Sequence, residues 1–162
     1  MANEKGIGPF EMRVKGNPNQ SRPVGPWRNL VDVGYGVSQI LPLICRLSDP
    51  SVRLHLIQQP EIHLHSKAQA ALGSFLCEWV TEGKGQVIVE THSQYLLDRV
   101  RMEVRDSRID IGATDTSVAY FESHGLESKI ANIGFDDLGN VQGAPPGYNS
   151  FFVDEVTRSL GL

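Results

Sequence analysis

Two short polar runs begin where apolar stretches stop, and both carry side chains suited to handling phosphates and protons. Residues 54–65 read LHLIQQPEIHLH, which puts Gln58, Gln59 and Glu61 just beyond an apolar strand. Residues 87–97 read VIVETHSQYLL and put Glu90 and His92 beyond a second one. Ahead of both, residues 31–45 read VDVGYGVSQILPLIC, a glycine turn running into a helix. In parallel α/β sheets ligands bind outside the carboxyl ends of the strands, so polar residues collected there point to chemistry before packing.

The glycine turn comes first. Gly34 and Gly36 let the backbone approach an anion, and the helix behind them, with Ser38 as its expected N-cap followed by Gln39, offers unpaired amides and a partial positive charge to a phosphate. The competing explanation is a tight glycine turn with a serine cap. Gln58, Gln59 and Glu61 occupy the place where phosphate-handling ATPases keep a magnesium ligand and a water-orienting residue, and the alternative is a polar strand end with a proline turn at Pro60. His92 can donate to a terminal phosphate, or it can simply belong to a segment that caps the next helix. His63 and His65 are spaced like a metal pair, but no Cys or third His stands at ligand spacing, so zinc is disfavoured.

These groups need a scaffold. Residues 1–29 hold Pro9, Pro18, Pro23 and Pro26 and read as an edge strand over residues 10–14 plus loop. From residue 30 to 162 the pattern is that of one α/β lobe. A helix carries Ile40, Leu41, Ile44 and Leu47, and a strand runs from residue 52 to 57. A helix opened by a Ser66/Gln69 capping box then carries Ala68, Ala71, Leu72, Phe75, Leu76, Trp79 and Val80. After Gly83-Lys84-Gly85 come a second strand over residues 86–90 and a helix capped by Ser93 with Leu96, Leu97 and Val100 inward. Strand, helix and strand in that order predict a parallel pair. Beyond Asp110 the texture turns to strands at residues 117–121 and 129–135, then a turn at residues 136–140 and an amphipathic stretch at residues 151–160.

Bulk properties bound the reading further. At 162 residues, with 40% hydrophobic residues and a net charge of −4, the chain fits one globular domain and gives no support to a nucleic-acid or membrane partner. Cys45 and Cys77 lie inside apolar helical patterns and read as small hydrophobes, which with the lack of any bilayer-length apolar run predicts a reduced, cytoplasmic setting.

Taken in order, DVGYGVSQILP, QQPEIHLH and ETHSQYLL resemble the C-terminal half of an ABC-type ATPase head, in the branch related to the structural-maintenance-of-chromosomes and overcoming-lysogenization-defect proteins, over about residues 30–155. The resemblance implies a mainly parallel sheet flanked by helices, a P-loop NTPase lobe. Gly34, Gly36, Ser38 and Gln39 would be its signature motif, which binds ATP across a head-to-tail homodimer. Gln58 would stand at the Mg²⁺ position, with Gln59, Glu61 and His92 as the catalytic group. Two departures accompany it. Gln58 is neutral where the family carries an acid, whereas Gln59 is normal in the relatives it most resembles, predicted ATPases ending in a C-terminal domain of unknown function, but stands where ABC ATPases usually carry the catalytic glutamate. No GxxxxGK[ST] occurs, so a Walker A-bearing N-terminal lobe would have to come from elsewhere. The function implied is a C-terminal subdomain serving ATP binding and hydrolysis, with a non-catalytic dimerisation or docking module as the alternative.

Overall fold

The computed structural model describes residues 13–15, 26–29, 34–148 and 157. Residues 10–12 of the expected first strand, residues 31–33 and all but residue 157 of the amphipathic stretch lie outside them. The elements in chain order are β1 (Arg13–Val14), β2 (Arg28–Asn29), α1 (Tyr35–Leu47), β3 (Leu54–Gln58), α2 (Ser66–Thr81), β4 (Gln86–Glu90), α3 (Gln94–Asp106), β5 (Val118–His124), β6 (Glu127–Phe135) and β7 (Val141–Gln142). Two compact units divide them, Met1–His65 with Gln86–His92, and Ser66–Gly85 with Ser93–Leu162.

In the first unit β1 and β2 pair antiparallel, and β3 and β4 pair parallel in a register running from Leu54↔Gln86 to Gln58↔Glu90. The parallel pair is the one expected, since α2 intervenes between its strands. Its faces differ: His55 is buried and Ile57, Val87 and Val89 are half-buried, while Leu54, Leu56 and Ile88 on the other side are 50%, 74% and 60% exposed. Helix α1 departs from expectation at its start. It begins at Tyr35 with Gly34 as N-cap at φ 104°, so Ser38 lies inside the helix and is not its cap. Pro42 is inside α1 as well, and its missing amide hydrogen deprives the Ser38 carbonyl of the usual i+4 donor.

The second unit is built on two helices. α2 buries Leu72, Leu76, Cys77 and Trp79, largely the face its periodicity predicts, although Ala71 is exposed. Ser93 caps α3 as expected, accepting from the Leu96 amide at 3.0 Å, while its own hydroxyl donates to Gln69 Oε1 at 2.7 Å. Ser66 opens α2 as its first residue, and Gln69 turns its oxygen to the neighbouring cap. Cys77, Val104 and Ile111 form a core against which Val100, Ile109 and Ala113 pack. Burial pushes the Cys77 thiol up to about 12. Beside it sits a polar cluster that no local pattern announced: Ser74 donates to buried Glu103 at 2.6 Å, and Arg99 lies 3.8 Å from the same carboxylate.

The rest of this unit corrects the expectation of a mainly parallel sheet. β5, β6 and β7 form a three-stranded antiparallel sheet, larger than the two-stranded parallel one, so the fold is mixed α/β. The cause lies in the connections. A parallel neighbour requires a crossover of about a dozen residues or more, whereas Gly125-Leu126 joins β5 to β6 directly and can only reverse the chain. Asp136 manages the next reversal, accepting from the Leu138 amide at 3.0 Å and the Asn140 amide at 2.8 Å. Ile133, at 1% exposure, anchors the sheet's inner face.

Candidate functional site

The carboxyl ends of β3 and β4 are joined beyond their last register pair. The Gln59 amide donates to the Glu90 carbonyl at 2.8 Å, extending the ladder by one residue. Two residues on, Glu61 Oε1 accepts from the backbone amide of His92 at 2.8 Å, across 31 residues of sequence. The segments holding Gln58, Gln59 and Glu61 and holding Glu90 and His92 are therefore brought together. His92 is exposed, as are Gln58 and Glu90, which pair in register.

The loop after β3 is tightly wound. Gln59 and His63 both have left-handed backbones, at φ 42° and 65°, which cost non-glycine residues about 1–3 kcal/mol each unless the surroundings over-determine them. Backbone bonds from Ile62 to the Gln59 carbonyl at 3.2 Å and from Leu64 to the Glu61 carbonyl at 2.9 Å close it on itself. Glu61 Oε2 is buried in it without a hydrogen-bond partner.

The first turn of α1 lies against that loop. A Cβ on Gly36 would meet the His63 carbonyl oxygen at 2.7 Å, closer than any side chain tolerates, and the Tyr35 and His63 rings meet edge to face at 4.8 Å. The need for glycine at position 36 is thus met by protein backbone. Gly34 is different: nothing lies within 4 Å of its missing Cβ, and its φ of 104° is what demands glycine. Among the described residues no side chain caps this helix, and no acidic residue sits in its first turn, so its amides offer partial positive charge. Ser38 is half-buried and Gln39 exposed within α1.

Among the described residues no group of three or more His, Cys, Asp or Glu side chains is placed to hold a metal ion. His124 bonds Glu122 at 3.0 Å, far along the chain from the loops. Cys45 is exposed, contrary to the reading of both cysteines as buried hydrophobes, because it falls on the outer side of α1; Cys77 is buried. No helix among the described residues is long and apolar enough to cross a membrane. The features that local patterns missed are the Glu61 bond to the His92 amide and the approach of Gly36 to His63. Both join residues far apart in sequence.

Residues 10–98 match the family described as "AAA domain, putative AbiEii toxin, Type IV TA system". No curated protein and no solved structure matches. The family match overturns the assignment to a C-terminal half of an ABC-type ATPase. It covers the N-terminal part of this chain, stops at residue 98 where residue 155 was expected, and leaves the antiparallel sheet outside. The functions tied to that assignment, a C-terminal subdomain acting in a head-to-tail dimer or a docking module derived from one, fall with it, since nothing places a catalytic or docking subdomain at the C-terminus.

Proposed function

The chain belongs to the AbiEii-like AAA domain family, which supplies an AAA-type ATP-binding domain, and from that membership we propose that its nucleotide site lies at the carboxyl ends of β3 and β4. The observation that carries this reading is the joining of the two strand-end segments through the Gln59–Glu90 and Glu61–His92 hydrogen bonds, which presents Gln58, Gln59, Glu90 and His92 as one polar edge. Strand ends of this kind are where α/β sheets bind ligands. The uncapped first turn of α1, with Gly34, Gly36, Ser38 and Gln39, adds favourable potential for the triphosphate of ATP. His92 is the side chain offered to the terminal phosphate, Gln59 orients water beside it, and Glu61 stands behind both.

The residues here offer magnesium one exposed carboxylate, Glu90, which would hold the ion only together with the phosphates of ATP. Gln58 and Gln59 offer neutral amides to a cation that prefers charged oxygen, and one oxygen of Glu61 is engaged by the His92 amide. Magnesium would accompany ATP through the phosphates themselves. The lysine loop that cradles β- and γ-phosphates is likewise missing from these 162 residues, so a lobe bearing that motif is the partner the site calls for, and a second copy of this chain does not supply it.

Amide NMR of the purified chain titrated with millimolar Mg-ATP tests the placement. Perturbations should concentrate at residues 34–39, 58–61 and 90–92, and His92→Ala should weaken them by about tenfold in apparent affinity, the loss expected for one charge-assisted hydrogen bond. Perturbations confined to β5–β7, or an unchanged affinity in His92→Ala, would remove the reading.

A further inference from the structure

Glu61 reaches across from one strand-end segment to the other. One carboxylate oxygen accepts the His92 amide at 2.8 Å; the other is buried with no hydrogen-bond partner. Oε2 is closed off from solvent, so any water that Glu61 met would have to share Oε1 with the His92 amide. An oxygen that accepts a backbone amide at this distance does, in contrast, fix the geometry of a loop.

The surroundings show what is being fixed. Glu61 sits between Gln59 at φ 42° and His63 at φ 65°, two left-handed non-glycine residues within one loop. The near end of that loop is fastened by the Gln59 amide on the Glu90 carbonyl, and its far end by the contacts of Gly36 and Tyr35 with His63. Glu61 supplies the restraint between them, and the group it restrains is the backbone of His92. The His92 ring itself remains exposed and available.

We infer that Glu61 is a positioning residue for His92: its carboxylate captures the His92 amide and holds the exposed imidazole at a set height above the β3–β4 strand ends. For nucleotide affinity this rests on the site proposed above. The hydrogen bond itself and its mechanical consequence do not. Glu61 acts here as an acceptor, so its negative charge is dispensable while its acceptor oxygen is required.

Glutamine and alanine separate these properties. Glu61→Gln keeps an acceptor oxygen in place and Glu61→Ala removes it. By hydrogen exchange, the His92 amide should be protected in wild type and in Glu61→Gln, and should exchange about tenfold faster in Glu61→Ala. Mg-ATP affinity of the whole chain should stay within about threefold of wild type in Glu61→Gln and fall about tenfold in Glu61→Ala. If Glu61→Gln loses His92 protection or ATP affinity as fully as alanine does, the charge is what matters and the positioning role is overturned. If Glu61→Ala does not fold, retention of protection in Glu61→Gln still supports the inference, and its loss still overturns it. A wild-type chain that binds no ATP even with a lobe bearing the lysine loop present would sink the nucleotide site alone, and the exchange measurement would decide Glu61 independently.

Discussion

The β3–β4 segments and the α2–α3 pair spend their polar groups in opposite ways. Between α2 and α3, Ser74 donates to Glu103 and Arg99 pairs with the same carboxylate beside a core of Cys77, Val104 and Ile111, with Arg99 Nε left buried without a hydrogen-bond partner, and Ser93 donates to Gln69 at the helix starts. At the ends of β3 and β4 the backbone is twisted into left-handed conformations, Gln58, Glu90 and His92 face solvent, and a carboxylate oxygen is buried alone. The first arrangement is what a chain does to be stable. The second carries local cost, and such cost is tolerated where geometry matters more than stability.

The contrast breaks most readily in the second unit. Ile133→Ala empties the least exposed side chain of the antiparallel sheet and should cost about 2–5 kcal/mol, read as a fall in the denaturant midpoint, without moving the strand-end amides in NMR. A loss near zero would mean that this sheet does not anchor its unit. Gly36→Ala should come next, since its new methyl would sit 2.7 Å from the His63 carbonyl: about 1–3 kcal/mol, with shifts at residues 59–63 and weakened Mg-ATP binding. If it is as stable as wild type and binds ATP equally, α1 is not fixed against that loop. The smallest effect is a titration. Because the Cys77 thiol is pushed from 9.0 up to about 12, the folded chain holds a proton that the unfolded chain releases, and its contribution to stability should decline as pH climbs through that window. Ellman's reagent at pH 8 should count one thiol in the native chain, exposed Cys45, and two after denaturation. Two reactive native thiols would show that the second unit opens freely.

Legibility followed distance along the chain. β3, β4, α2 and the Ser93 cap of α3 were readable because apolar period and capping are local signals. The cap of α1 lies four residues ahead of the one expected, since Ser38 is a common capping residue whereas the true cap, Gly34, acts through backbone conformation. The antiparallel sheet was mistaken because alternation at residues 117–121 and 129–135 identifies strands but not their directions, and the deciding turn, Gly125-Leu126, is two residues long. At the site, residue types and their strand-end location were visible, but the Glu61 link to His92 spans 31 residues and leaves no local trace. The three motifs that carry the resemblance, at residues 32–97, all lie within the matched 10–98, but the resemblance also takes in a closing segment over residues 147–154 and so extends across a sheet of different construction.

The uncovered side of β3–β4 has a practical consequence for anyone preparing the protein. Parallel strands normally have both faces covered, and here Leu54, Leu56 and Ile88 meet water on a two-stranded sheet. Salting-out anions such as sulfate strengthen the attraction between such faces, so ammonium sulfate should precipitate the chain while it is still folded, and shelf life should depend on keeping stocks dilute. Colloidal behaviour, in other words, is written on the side of the sheet that the chemistry does not use.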